Sequence, residues 1–210
     1  MEQFPELDLV VGSLIVTSPE ENREAYEEEL EWVRDVQKLL EEEGVHVDLL
    51  SQPGIEVWEG SINSFYDLYQ LRRLAAHLET GNIISFDELE KKTDGEDVDN
   101  LLTAIWDEEA STKFPHLIKH QGDGGFYLPA SFPEPIWVDY SDEEEEEPAL
   151  LEDESVVSFG SSIELLNELK ELEQMAATYN IQPSKWHDAL ITLQTACEQS
   201  IQHKLPIILW

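Results

Sequence analysis

The chain has 210 residues, of which 47 are Asp or Glu against 12 Lys or Arg, giving a formal net charge of −35. A charge of that sign and size excludes a nucleic-acid backbone or an anionic membrane as a general partner, leaving a basic protein, a cation or plain solubility. A hydrophobic fraction of 41% with six Trp, six Tyr and seven Phe excludes a disordered acidic chain, because such chains are poor in aromatic residues.

Leu7 to Thr17 is rich in Val, Leu and Ile and reads as a buried strand with a break at Gly12-Ser13. Ser18-Pro19-Glu20-Glu21 carries a cap, a first-turn proline and a capping-box glutamate, so a helix is expected from there to Gly44. Its apolar stripe is Tyr26, Leu30, Val33, Val36 and Leu40. Val45 to Leu50 alternates as a second strand, which suggests a βαβ or split βαβ unit, and Ile55 to Trp58 is a short third. A helix with Phe65, Leu68, Leu71, Leu74, Ala75 and Leu78 inward stops at Gly81.

Two short helical segments, 86–92 and 98–108, follow, split at Asp94-Gly95. Phe126 to Leu128 and Ile136 to Val138 are short strands that pair as a hairpin in this reading, and Val156 to Phe159 is a further one. Ser161 with Glu164 opens a helix with Leu165, Leu169, Leu172, Ala176 and Tyr179 inward. After Pro183 comes a last helix carrying Trp186, Leu190, Leu193, Cys197 and Ile201. The expected fold is one α+β domain over residues 1–210. A small mixed sheet is covered by helices, with a C-terminal antiparallel helical hairpin and residues 141–154 as a mobile acidic loop.

The single cysteine excludes an intrachain disulfide and fits a reducing compartment. No basic-then-apolar leader opens the sequence, and no apolar run approaches the roughly 20 residues that span a bilayer. The expected location is the cytoplasm, with no membrane partner.

The charge is uneven. Residues 20–43 hold eleven acids and three bases, residues 87–109 ten and two, residues 139–154 ten and none, together −26 of the −35. Surface scaling gives a folded chain of this mass roughly 10,000 Å², or about one net charge per 280 Å². Duplex DNA, at one charge per ~1.7 Å of axis, carries about one per 110 Å². The average therefore falls short of DNA unless folding gathers the charge on one side.

Few other patterns carry chemistry. His116 and His120, four apart, would share a helical face, and Asp123 could complete a two-histidine, one-carboxylate site for a divalent metal. No glutamate follows the first histidine as in the metalloprotease motif, and ordinary hydrogen-bonded histidines are the favoured reading. Gly160-Ser161-Ser162 lacks a P-loop lysine and reads as a capped strand-to-helix turn; Asp94 to Asp99 fails the calcium-loop register. Cys197 lies on an apolar helix face, and no nucleophile elbow is present. The aromatic run Phe126-Tyr127 with Phe132, Trp137 and Tyr140 is a core hairpin or, alternatively, the lining of a cleft. Trp210 docks on the core or serves a partner.

The function expected is therefore a non-catalytic acidic protein that engages a basic protein partner, with no cofactor and no direct nucleic-acid contact. An inhibitor or immunity protein for a basic toxin or nuclease is one form; a DNA mimic that blocks a nucleic-acid-binding protein is another. Its binding residues are expected to be Glu24, Glu27, Glu28 and Glu31 on the first helix, with Asp142, Glu143, Glu144, Glu145, Glu146 and Glu147 as an acidic arm. The rival is a metal-dependent enzyme or ligand-binding domain centred on His116, His120 and Asp123.

Overall fold

Strand β1 (Leu7–Gly12) sends Leu7, Leu9 and Val11 into one core and Val10 to the opposite face, as a two-sided buried strand must. A computed structural model places it inside a six-stranded mixed sheet of order β2-β1-β6-β3-β5-β4. The other strands are β2 (Glu56–Ile62), β3 (Phe126–Leu128), β4 (Ile136–Asp139), β5 (Val156–Ser161) and β6 (Ile207–Leu209). The structure describes residues 5–82, 84, 98–122, 124–139 and 156–210.

Helices cover both faces. On one side lie α2 (Phe65–Glu79), α3 (Asn100–Trp106), the single turn α4 (Pro115–Ile118), α5 (Ser162–Thr178) and α6 (Lys185–His203), closing the larger core with Leu71, Leu117, Leu169 and Leu190. Helix α2 is buried nearly all round from Tyr66 to Ala76, including Arg72 and Arg73. Helices α5 and α6 meet lengthwise: the Ser200 hydroxyl donates to that of Ser162 at 3.0 Å, and Gln194 donates to Glu173 at 3.2 Å. Those pairings, with the connection at 179–184, run the two helices antiparallel. On the other side α1 (Arg23–Glu42) and the chain at 45–50 cover Leu128, Val138 and Phe159. The Trp32 and Phe126 rings lie 5.8 Å apart across that interface.

Three expectations are corrected. Residues 45–50 form no strand, because β1 is flanked by β2 and β6 and has no free edge. Val45 and Leu49 are buried, but the Leu49 N–H donates to Gln37 Oε1 at 3.0 Å. The first three elements are therefore not a βαβ unit, since β1 pairs antiparallel with β2. Nor do β3 and β4 pair as a hairpin: β5 lies between them, parallel to β3 and antiparallel to β4. Gly160 makes that insertion possible, because a Cβ there would stand 2.4 Å from the Tyr127 ring opposite it.

The first helix starts later than its signal suggests. Ser18 to Glu21 make a turn, and Asn22 is the cap, its Oδ1 accepting from the Ala25 N–H at 3.2 Å. Residues 86–92 and the whole acidic arm lie outside the described residues. Among the described residues no helix is long and apolar enough to cross a membrane.

Candidate functional site

Helix α1 buries Val33, Val36 and Leu40, which turns its acids outward. Glu24, Glu28, Glu31 and Asp35 are exposed and, at spacings of four, three and four, share one stripe. At about 1.5 Å of rise per residue the stripe spans ~16 Å, one carboxylate about every 5.5 Å. One DNA strand carries a phosphate every ~3.4 Å. Among the described residues these four carboxylates pair with no base, whereas Glu27 is joined to Arg23 at 2.8 Å. Glu29 belongs to the fold instead: its carboxylate accepts from the Val16 and Thr17 N–H groups at 2.9 Å and from the Thr17 hydroxyl.

Described residues of two acid-rich segments, Glu43 of 20–43 and Glu108 of 87–109, line two clefts that share Trp137 of the outer strand β4. A groove of about 420 Å³ between the end of α1 and β4 is lined by Leu39, Glu43, Val45, Phe132, Pro133, Glu134, Pro135, Ile136 and Trp137. A second cleft of about 470 Å³ puts Glu108, from the 87–109 segment, with Phe65, Tyr69, Trp106 and Trp137. Trp137 lines both and is 50% exposed. Two residues later β4 ends at Asp139, which pairs with Val156 of β5. Phe126 and Tyr127 belong to the core, Phe132 is a core residue that also lines the first groove, and Tyr140 lies outside the described residues. Asp142 to Glu147 and Asp123 lie outside them too.

The second cleft differs in charge, being lined also by Arg72, Lys119, His120 and Gln121. Its cations serve the fold. Arg72 Nε and Nη2 donate to the carbonyls of Leu117 and His120 at 2.8 and 2.7 Å, and Lys119 meets Glu134 at 2.9 Å.

His116 and His120 are buried side by side, and each ring faces backbone groups through both nitrogens. His116 Nε2 lies 2.8 Å from the Phe132 carbonyl, and its Nδ1 accepts from the Ser161 N–H at 3.0 Å. His120 Nε2 lies 3.1 Å from the Phe126 carbonyl, and its Nδ1 accepts from Gly122 at 3.3 Å. Burial pulls both imidazoles below their ordinary range, His120 to about 3 with the Arg72 charge adding. Among the described residues no group of three or more His, Cys, Asp or Glu could hold a metal ion. Cys197 is buried, and burial pushes its thiol up, away from the reactive thiolate.

Sequence reasoning missed Glu168, whose carboxylate accepts from the His116 and Leu117 N–H groups at 3.0 and 2.8 Å. It also missed Asp99, which caps α3 through the Leu101 N–H at 3.0 Å while meeting Arg73 at 3.1 Å and His77 at 2.9 Å. The available signal was Arg72-Arg73 within the apolar pattern of α2, two charges needing partners wherever that helix is enclosed.

Residues 5–209 match the model of a family described as "Putative DNA-mimic protein", and the chain belongs to that family. No curated protein and no solved structure matches it.

Proposed function

We propose, from this chain's membership of a family of DNA-mimic proteins, that it binds the basic surface of a DNA-binding protein and excludes DNA from it. The observation that supports the reading is the exposed Trp137 in the lining of two clefts, one with Glu43 of the 20–43 segment and the other with Glu108 of the 87–109 segment. The average charge is too thin to imitate a duplex, but a stripe of four carboxylates on α1, with no basic partner among the described residues, concentrates it. Long-range attraction speeds encounter with a cationic partner, and release of ions from both surfaces favours the complex at low salt. An exposed aromatic among those charges supplies the apolar contact that fixes register.

In this reading Glu24, Glu28 and Glu31, with Glu27 at the margin, stand in for phosphates along one strand, and Asp142 to Glu147 add further negative charge. The partner is a soluble DNA-binding protein of the cytoplasm, and the outcome is inhibition of its DNA binding, with no catalysis and no cofactor.

The test is capture of partners from the native lysate at 50 mM and 500 mM salt, followed by competition with duplex DNA. A DNA-binding protein retained at low salt, released at high salt and displaced by the duplex is expected. Charge reversal at Glu24, Glu28 and Glu31, or at residues 142–147, should weaken its retention. If neither reversal alters the binding of any captured protein, the reading is wrong.

A further inference from the structure

The groove between α1 and β4 differs from the rest of the acidic surface in having an apolar floor. Leu39, Val45, Phe132 and Ile136 supply the apolar surface, and Glu43 and Glu134 are carboxylates in its lining. Among the described residues no Lys, Arg or His lines it. One oxygen of Glu134 accepts from Lys119 at 2.9 Å, while among the described residues no hydrogen bond reaches the other or the carboxylate of Glu43.

The backbone adds negative charge at the same end. Glu43 is the C-terminal cap of α1, at the negative pole of the helix dipole, with the carbonyls of Leu39, Leu40 and Glu41 accepting from the N–H groups of Glu43, Val45 and Gly44. That last turn carries no basic residue, and Glu41, Glu42 and Glu43 follow one another there. A helix selected only for stability places cations at this end. Here the pole stands at a groove whose described lining holds two carboxylates, and Lys119 pairs with just one of them, Glu134.

From this arrangement we infer that the groove receives an arginine side chain of the basic partner; the inference rests on the protein-binding reading above. An aliphatic stem covers the apolar floor, and a planar guanidinium with five donors can bridge two separate carboxylates. A lysine has the stem but concentrates its charge at one point, so it satisfies one carboxylate at a time. The groove's volume, about 420 Å³, holds one such side chain with its flanking peptide. The α1 stripe thus attracts any polycation, while the groove distinguishes arginine from lysine.

The test uses the full chain and two fluorescent probes, nona-arginine and nona-lysine, with anisotropy titrations at 50 and 150 mM salt. Nona-arginine should bind about tenfold tighter, the difference made by one additional charge-assisted hydrogen-bonded contact. Glu43→Gln with Glu134→Gln should bring the ratio of the two affinities close to one. Glu43→Gln alone, which leaves the Lys119–Glu134 pair intact, should remove most of it. Glu24→Gln with Glu28→Gln should weaken both probes together and preserve the ratio. An unaltered ratio in the groove variants, at unchanged melting temperature, overturns the inference while leaving the acidic stripe standing. Equal affinities for the two probes in the native chain overturn it as well. Insensitivity of both probes to the α1 variants counts instead against the protein-binding reading.

Discussion

Glu168 and Arg72 hold opposite ends of the same helical turn. The turn 115–118 presents the N–H groups of His116 and Leu117 to the Glu168 carboxylate and the carbonyls of Leu117 and His120 to the Arg72 guanidinium. A carboxyl group that accepts at the amino end and a cation at the carboxyl end complement the dipole of a turn too short to hold itself. Tyr127 adds a third tie, its hydroxyl donating to the His116 carbonyl at 3.0 Å. Both histidines of the sequence-level metal reading sit on or beside this turn, which accounts for their burial.

The Glu168 carboxyl is pushed up to about 8: burial raises it, the two N–H donors oppose that, and the Glu164 and Glu134 charges add to it. A folded value above the ordinary one means that the fold holds a proton the unfolded chain has released. This stabilisation is fully present below about pH 4.5 and is lost as pH rises through 8. Urea midpoints should therefore fall between pH 7 and pH 9 in the native chain, and Glu168→Gln should flatten that slope. Parallel slopes in the two proteins would contradict the assignment.

His116 and His120 have the opposite sign. With both imidazoles held below the ordinary 6.5, the folded chain refuses protons that the unfolded chain binds, so stability falls as pH drops from 6.5 toward 3. Nitrogen-detected NMR should show the His120 ring neutral at pH 5 and the His116 ring titrating below 6.5, each neutral form with the proton on Nε2 and Nδ1 accepting. Adding zinc should leave their signals in place. Titration of either ring near pH 6.5, or a zinc-induced shift of its Nδ1, would show that these nitrogens are not committed to the backbone.

Gly122 has a backbone φ of +86°, and a Cβ there would stand 2.2 Å from Arg72 Nη2. Gly81 has a similar φ of +73° with nothing within 4 Å. Gly81→Ala should therefore cost only left-handed strain, about 1 kcal/mol. Gly122→Ala should cost that and also dislodge Arg72 from two carbonyls, about 3 kcal/mol in all. Chemical denaturation of the two variants measures the difference; equal losses would mean that Arg72 moves aside without consequence.

Local pattern made much of this fold legible. The stripe Tyr26, Leu30, Val33, Val36 and Leu40 placed α1 and its outward acids, and Gly44 and Gly81 end their helices at positive φ as glycines do. Pairing was less legible, because it depends on distant residues. Ile207 to Leu209 is only three residues long, yet β6 bridges β1 and β3 at the centre of the sheet. Its claim on β1 is what leaves Val45 to Leu50 without a strand partner. The proposed site was half legible: the outward α1 acids follow from amphipathicity, but no local signal places Glu43 and Glu108 in clefts that share Trp137.

The acidic end of α1 gives the last prediction. Three glutamates at the negative pole of a helix repel the pole and one another, so the fold gives up stability there. Glu41 is exposed and outside the groove lining, and its one hydrogen bond is a 3.4 Å contact from Gln37. Glu41→Lys should raise stability by about 0.5 kcal/mol at low salt, and less at 0.5 M, where the Debye length falls below ~5 Å. The native chain should itself melt at a higher temperature as salt is added, since screening relieves repulsion among its unpaired carboxylates. The same substitution should weaken binding of a basic partner at 50 mM salt, so stability and affinity move in opposite directions. Calorimetry and anisotropy on one preparation measure both. A Glu41→Lys chain that is more stable and binds equally well would show that this end of the helix is no part of the interface.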